Sequence, residues 1–465
     1  MYFLTTGLSH ALSVRLCVRQ CTFGFHFQIF TSKFDISRKV KGAIVRQPSC
    51  YGKPNPVDCI YMYIPRFLEQ AVLRIHATFK VLYVGGPRQV GKTTMLRHLA
   101  QEEGVRMITL DDPDLLLQAR SDPGGLLDAH PSPLCIDEVQ YAPELFPEIK
   151  RRVDVRERYG QYWLSGSQQF ALMEGLQESL AGRVGIIDLL GFSSAEIAHT
   201  AMRKQPFLPM RSVVAPSEQS PQAIFARIWR GSFPRRHTAP HVDPKDFYDS
   251  YIRTYIDRDV RRFHGIQKST EFHRFLQLCA ARTGQVLNIA DLARDADVSP
   301  HAAREWLAIL EQTMQIYLLR PYFTSRSKRL VKAPKLYFLD TGLAAHLTHW
   351  LSPEQLQAGA MSGAFFETHV VTEILKSYLF RGRQPPLWFF RDHLGHEVDL
   401  LIEEGQSLFP IEIKQTRTVR KRDLRGILFF RAQQRAAAHA AVITPQGPSR
   451  PFDRDTTILP VSAIA

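Results

Sequence analysis

Gly86-Pro87-Arg88-Gln89-Val90-Gly91-Lys92-Thr93-Thr94 is the stretch that decides the fold. It follows an apolar run, Val81 to Gly85, and opens a helix-like segment, Lys92 to Glu103. A glycine-rich turn that ends in Gly-Lys-Thr between a strand and a helix is a phosphate loop. Gly86 and Gly91 let backbone N–H groups approach phosphates, and the helix N-terminus adds its positive dipole end. Lys92 is expected on the β- and γ-phosphates and Thr93 on Mg²⁺. Pro87, Arg88, Gln89, Val90 and Thr94 complete the expected nucleotide-binding loop, with ATP as ligand.

Strand and helix patterns alternate outward from this loop, which predicts a parallel α/β sheet. Further strands are expected at Arg106 to Leu110, Pro133 to Asp137, Gln161 to Ser165 and Val184 to Leu190. The strand ending in Ile136-Asp137-Glu138 carries two acids at its carboxyl edge, where phosphates lie. Asp137 is expected to hold Mg²⁺, and Glu138 to orient and deprotonate the attacking water; the alternative is a helix N-cap pair. After the next strand, Ser167 or Gln168 is expected to sense the γ-phosphate, against an ordinary turn. Arg183 is a candidate arginine finger, in cis or from a neighbouring subunit of a homo-oligomer, against a plain surface arginine.

The 465 residues predict about three domains, at roughly 150 residues each. A net charge of +14 points to polyanions, nucleic acid first and acidic membrane surfaces second. No apolar run is long enough to span a bilayer. Six scattered cysteines exclude a disulfide scaffold and fit a reducing cytoplasm. Cys135 and Cys279 read as small buried residues.

Residues 1–61 lack periodicity and hold eight basic residues against two acidic ones. They read as a non-native extension from a misplaced start, with Met62 as the natural one, or as a disordered basic tail. Residues 62–202 form the ATPase domain, and 203–222, rich in Pro, Ser and Gln, read as a linker. In residues 223–345 a helix is expected over Asp246 to Phe263, followed by helix-turn-helix spacing: Ile289-Ala-Asp-Leu-Ala, a turn at Asp297-Val298-Ser299, and a helix from Pro300 to Glu311. Ile316 to Phe323 and Leu336 to Leu339 are expected as the strands of a wing. The basic stretch Arg326, Lys328, Arg329, Lys332 and Lys335 supplies a candidate DNA footprint; the alternative is a winged-helix lid packed on the ATPase domain. Residues 346–465 read as a helix from Phe365, three short strands, another helix and a last strand at Ala440 to Thr444.

Several blocks resemble a family of prokaryotic AAA-type ATPases that pair a P-loop domain with a C-terminal domain of unknown function, number 4143. The marks are residues 86–94, Ile-Asp-Glu-Val-Gln (136–140), Leu-Ser-Gly-Ser-Gln (164–168), Ser-Leu-Ala-Gly-Arg-Val (179–184), Tyr-Phe-Leu-Asp-Thr-Gly-Leu (337–343) and Glu-Val-Asp-Leu-Leu (397–401). The resemblance runs from Met62 to near the C-terminus. It implies an AAA-like ATPase of the division that uses an added catalytic glutamate.

The C-terminal part carries a second constellation. Glu412 and Lys414, in Pro410-Ile-Glu-Ile-Lys414, share one face of a strand. Asp399 lies on the preceding strand and Glu367 on the helix before. Two carboxylates and a lysine suit a divalent ion, Mg²⁺ or Mn²⁺, and activation of water for phosphodiester cleavage. The order helix-Glu, strand-Asp, strand-Glu-x-Lys resembles the restriction-endonuclease-like superfamily, with Val398 where a Pro is usual. The competing account is a solvated edge strand with a Glu–Lys pair.

The expected protein is thus an α/β chain with a P-loop ATPase domain, a winged helix-turn-helix middle and a restriction-endonuclease-like end. It hydrolyses ATP and acts on, or is regulated by, DNA. The second hypothesis is a nucleotide-gated switch in a protein complex whose nuclease-like fold is only a scaffold. Deleting residues 1–61 should leave fold and ATP turnover intact. A truncated chain that aggregates or loses turnover would place the segment in the fold.

Overall fold

The Val81–Gly85 strand, β1, is buried along its whole length. Its residues alternate between two cores. Leu82 and Val84 pack into one and Val81 and Tyr83 into the other, as the two-residue period of a strand covered on both faces requires. In the computed structural model, described residues run from 63 to 464 except 168–178, 202, 204, 210–219, 240, 257–268, 324, 326–328, 330–331 and 417. All of them lie within one unit, Ile44–Ala465. The expected extension, residues 1–61, lies outside the described residues.

Parallel strands flank β1. They are β2 (Arg106–Thr109), β3 (Leu134–Asp137), β4 (Tyr162–Ser165) and β5 (Val184–Asp188), in the order β2-β3-β4-β1-β5. The strands run parallel, so their carboxyl ends share one edge, with the Lys92–Glu103 helix starting there. β4 lies between the phosphate-loop strand and the acidic strand.

The middle of the chain is helical. Of the expected Asp246–Phe263 helix, the described part lies in an α-helix, Pro244–Tyr251, that widens into a π-helical turn, Ile252–Ile256, and residues 257–263 lie outside the described residues. The helices Ser269–Ala281, Ile289–Ala296 and Pro300–Gln312 pack with a small antiparallel sheet. Its strands, β6 (Gln285–Val286), β7 (Ile316–Leu319) and β8 (Lys335–Phe338), are ordered β6-β8-β7. The turn between the last two helices is capped on both sides. Asp297 takes a left-handed conformation at φ 60°, and the Ser299 hydroxyl accepts from Ala302 N–H. The residues after β8 explain their conspicuous sequence. The Asp340 carboxylate accepts from Leu343 N–H at 2.7 Å, Ser232 N–H at 2.6 Å and Tyr248 O–H at 3.0 Å.

The C-terminal part follows the 18-residue helix Ser362–Leu379 with β9 (Leu387–Arg391), β10 (Glu397–Glu404) and β11 (Ser407–Ile413). Then come the helix Arg425–Gln433, β12 (Ala440–Thr444), β13 (Arg450–Pro451) and β14 (Thr456–Pro460). The strand order is β13-β14-β12-β11-β10-β9. β12 is therefore not the last strand: β14 pairs with it in parallel and is buried throughout.

The expected linker is corrected at both ends. Phe207 is buried, with its N–H on Ser377 Oγ and its carbonyl accepting from Tyr378 O–H at 3.2 Å. Its other end, Pro221 and Gln222, is already helix. Cys135 and Cys279 are buried and free, as expected. Among the described residues, no helix is long and apolar enough to cross a membrane.

Arg66 joins these parts. Its Nε donates to Glu196 Oε1 at 3.0 Å, one terminal nitrogen to Val90 O at 2.8 Å, and the other to Leu190 O at 2.8 Å. The guanidinium lies over the rings of Phe192 and Phe380 at 4.7 and 5.5 Å. Removing one partner of a buried pair leaves the other charge uncompensated. Arg66→Ala should therefore lose about 3–5 kcal/mol of stability in urea denaturation. An unchanged midpoint would show that the Arg66 contacts are replaceable.

Candidate functional site

The phosphate loop leaves the carboxyl end of β1 with Gly86 at φ 141°. A Cβ there would meet Leu189 O at 2.1 Å, so only glycine fits. Gly91, at φ 91°, begins the Lys92–Glu103 helix with no side-chain cap and no acid in the first turn. A helix start without a side-chain cap suits an anion at that point. The Lys92 ammonium reaches back over the loop, donating to Gly86 O at 2.9 Å and Pro87 O at 2.8 Å.

Asp137 ends β3 on the same edge. Its Oδ2 accepts from Thr93 Oγ1 at 2.7 Å, and its Oδ1 is bound by Ser165 Oγ at the end of β4. The two residues expected to share Mg²⁺ are therefore in direct contact. Glu138, the next residue, takes a left-handed conformation at φ 57°. Such a conformation is sparsely populated for a residue with a side chain and recurs at functional sites. Burial pushes the Glu138 carboxyl above its ordinary value, with Lys92 opposing. Gln140 Nε2 binds Glu138 Oε2 and lies 3.4 Å from Ser167 Oγ. Ser167 is thus brought to the cluster, while Gln168 lies outside the described residues.

Sequence reasoning assigned no role to Ser165, Gln140 or Arg66. Ser165 and Gln140 stood inside quoted blocks, and their position at a strand end or just past one was the available signal. No local pattern marks Arg66.

Arg183 is not brought to this cluster. It precedes β5, and its carbonyl accepts from Val81 N–H at the amino end of β1. The phosphate loop leaves the other end of that strand, five residues on, or roughly 16 Å. Its guanidinium is held by both Asp154 oxygens and by Ala181 O at 3.0 Å. An arginine finger in cis is ruled out by this geometry, because the cation sits at the wrong edge of the sheet.

A second cluster forms in the C-terminal part. Glu367, Asp399, Glu412 and Lys414 converge, as their order predicts. Lys414 Nζ lies 2.5 Å from Glu412 Oε1 and 3.7 Å from Asp399 Oδ2. Asp399 Oδ2 also accepts from Ile413 N–H at 2.8 Å. An unexpected cation enters from β8. Lys335 Nζ lies 2.5 Å from Glu397 Oε1, 3.0 Å from Glu367 Oε1 and 3.7 Å from Asp399 Oδ1, with its side chain only 2% exposed. Tyr337, two residues on and on the same strand face, donates to Glu367 Oε1 at 2.6 Å.

Burial, then the charge of Asp399, pushes Glu367 up to about 7 and Glu412 well above its ordinary value. Burial alone would depress Lys335 and Lys414, but the surrounding acids hold both above the usual lysine value. Among the described residues, no group of three or more His, Cys, Asp or Glu side chains is arranged to hold a metal ion.

The expected DNA footprint loses two members. Lys335 is buried in this cluster. Arg329 is buried too, with Nη1 on Glu403 Oε2 at 2.8 Å and the guanidinium over Tyr322 and Trp388 at 4.3 and 4.6 Å. A cation already desolvated and paired cannot neutralise a phosphate. Lys332 is exposed, and Arg326 and Lys328 lie outside the described residues.

Comparison with known proteins follows the same divisions. Residues 78–198 match the AAA domain, 222–354 a domain of unknown function (DUF8612), and 362–464 a domain of unknown function (DUF4143). Uncharacterized proteins of Mycobacterium tuberculosis and Mycobacterium bovis are each 30% identical over 349 residues, covering 73% of this chain and 71% of theirs. Among solved structures, a Walker-type ATPase of Pyrococcus abyssi is 13% identical, with 60% of this chain and 94% of that one covered and a TM-score of 0.39. The RuvB Holliday junction branch migration motor of Thermotoga maritima is 17% identical, with 54% and 85% covered and a TM-score of 0.26. The chain belongs to one family with its mycobacterial relatives, and it is itself an AAA-type P-loop ATPase that ends in DUF4143.

Proposed function

We propose that this chain is an ATP-hydrolysing switch in which the nuclease-like end serves as a scaffold. The observation that carries hydrolysis is the contact of Thr93 with Asp137 beside the strained Glu138. The uncapped helix start and the glycine-only turn at Gly86 fit a triphosphate. Thr93 and Asp137 would hold Mg²⁺, which when bound supplies charge neutralisation for the transferred phosphoryl group. Lys92 moves from the loop carbonyls onto phosphate oxygens. Glu138 takes the proton of the attacking water, with its carboxylate steered by Gln140. Ser167 stands on the other side of Gln140, where a γ-phosphate contact would reach the base. Arg183 is left the finger role only towards a neighbouring subunit.

The scaffold reading rests on Lys335, whose ammonium takes up carboxylate oxygens that a divalent ion would need. The helix-turn-helix and β6-β8-β7 sheet read as a winged helix, and β9 to β12 with their helices as a restriction-endonuclease-like core. The exposed side of the second helix, Pro300–Gln312, offers His301, Arg304 and Glu305, a mixed rather than basic set. That favours a partner protein over DNA. A metal-dependent nuclease acting on DNA is the second reading, favoured by the convergence of Asp399, Glu412 and Lys414. Two buried free thiols fit a reducing cytoplasm.

Glu138→Gln should still bind ATP while turnover falls roughly 10²–10⁴-fold, and Lys92→Ala should lose both. Loss of nucleotide binding in Glu138→Gln would make Glu138 structural. The base must be ionised to act, and its value is raised by burial. Turnover should therefore decline on acidification at a pH above that of an ordinary glutamate.

Duplex DNA should leave ATP turnover of the full chain within about twofold, and Mg²⁺ or Mn²⁺ should elicit no DNA cleavage. Stimulation beyond about tenfold, with metal-dependent cleavage that Asp399→Ala abolishes, would overturn the scaffold reading and establish the nuclease.

A further inference from the structure

A cavity of about 190 Å³ lies where four segments meet: the residues after β5, the Pro221–Arg230 helix, the Ser362–Leu379 helix and the Val461–Ala463 turn. It touches all three matched domains. A second, narrower recess shares Ser194, Arg227, His369 and Glu373 with it and runs towards Lys376. The phosphate loop does not line either space.

The charges around the cavity do not balance. Glu373 is already bound: Ser194 N–H donates to its Oε2 at 2.7 Å and Lys376 Nζ to its Oε1 at 3.1 Å. The Arg227 side chain makes no hydrogen bond or ion pair with a described residue, and burial pulls its guanidinium below the ordinary arginine value, with Glu373 opposing. Burial also pushes His369 down to about 4, so its ring is neutral near pH 7. Two cations thus face one carboxylate. Ser194 Oγ is buried with no partner. A half-buried cation without a side-chain partner and a buried unsatisfied hydroxyl are both costly unless a ligand meets them.

We propose that this cavity binds a small organic anion. Its oxyanion head sits on the Arg227 guanidinium, the Ser194 hydroxyl and the His369 ring. Its apolar body packs against Ala198 and Ile224, which also line the cavity. The size agrees, because apolar cavities of roughly 150 Å³ hold a benzene ring.

Benzoate and its neutral isostere benzamide test this on the full chain by calorimetric titration at constant ionic strength. Benzoate should bind once per chain and benzamide should not. Arg227→Met should fold, with a melting temperature equal to or above the parent, because it removes an uncompensated cation. The same variant should weaken benzoate at least about tenfold. The proposal is overturned if benzoate fails to bind at about 20 mM, a concentration that reveals even millimolar affinity. It is equally overturned if benzamide binds as well, if Arg227→Met keeps the parent affinity, or if Arg227→Met does not fold.

Discussion

A guanidinium taken out of water must find an acceptor for each donor it buries, and Arg66 finds them on three separate pieces of chain. The carbonyl of Val90 belongs to the phosphate loop, that of Leu190 to the segment after β5, and the Glu196 carboxylate to the helix beyond. Glu196 then uses its remaining capacity on Phe67 N–H and on Ser193, whose helix it caps. The faces of the guanidinium are closed by Phe192 and by Phe380, the residue that ends the long C-terminal helix. The phosphate loop therefore cannot shift its Val90 carbonyl without disturbing a buried charge. That charge is in contact with the C-terminal part of the chain. The same helix grips the neighbouring segment again through Lys376, which donates to Phe192 O, and Glu373, which accepts from Ser194 N–H.

Much of this arrangement follows from local rules. The phosphate loop, its strand and its helix were legible because their chemistry requires particular residues at particular spacings, and Lys92–Glu103 has the expected bounds. The helix-turn-helix was legible from its spacing, and in the structure Asn288 and Ser299 cap its two helices. Asp137, Glu138 and Ser167 were legible because parallel strands deliver their carboxyl ends to one edge. The convergence of Asp399, Glu412 and Lys414 was likewise readable from strand alternation.

The misreadings share a cause. Lys335 and Arg329 were read as exposed basic residues because a sequence shows charge but not burial. Lys335 and Tyr337 alternate correctly for one strand face, yet nothing local tells which element that face meets. Its partner Glu367 lies 32 residues on. Arg183 lies beside a strand whose direction decides the matter, and its partner Asp154 lies 29 residues earlier. Phe207 sits amid a Pro- and Ser-rich stretch whose composition mimics a linker, while its docking site on Ser377 and Tyr378 is 170 residues away. Strand β14, Thr-Thr-Ile-Leu-Pro, lacks clear alternation because it is buried on both faces and ends in proline.

Buried charge also governs how the C-terminal cluster is held together. Four carboxylates, Glu367, Glu397, Asp399 and Glu412, could not stay ionised together in a desolvated pocket without cations. A nuclease of this chemistry would meet that demand with a divalent ion that comes and goes with the solution. Here two lysines meet it, and one of them, Lys335, comes from a different sheet. A covalently tethered cation has an effective concentration that no free ion matches. Withdrawing it would leave the acids uncompensated. The cluster therefore ties the β8 sheet to the C-terminal sheet through ion pairs.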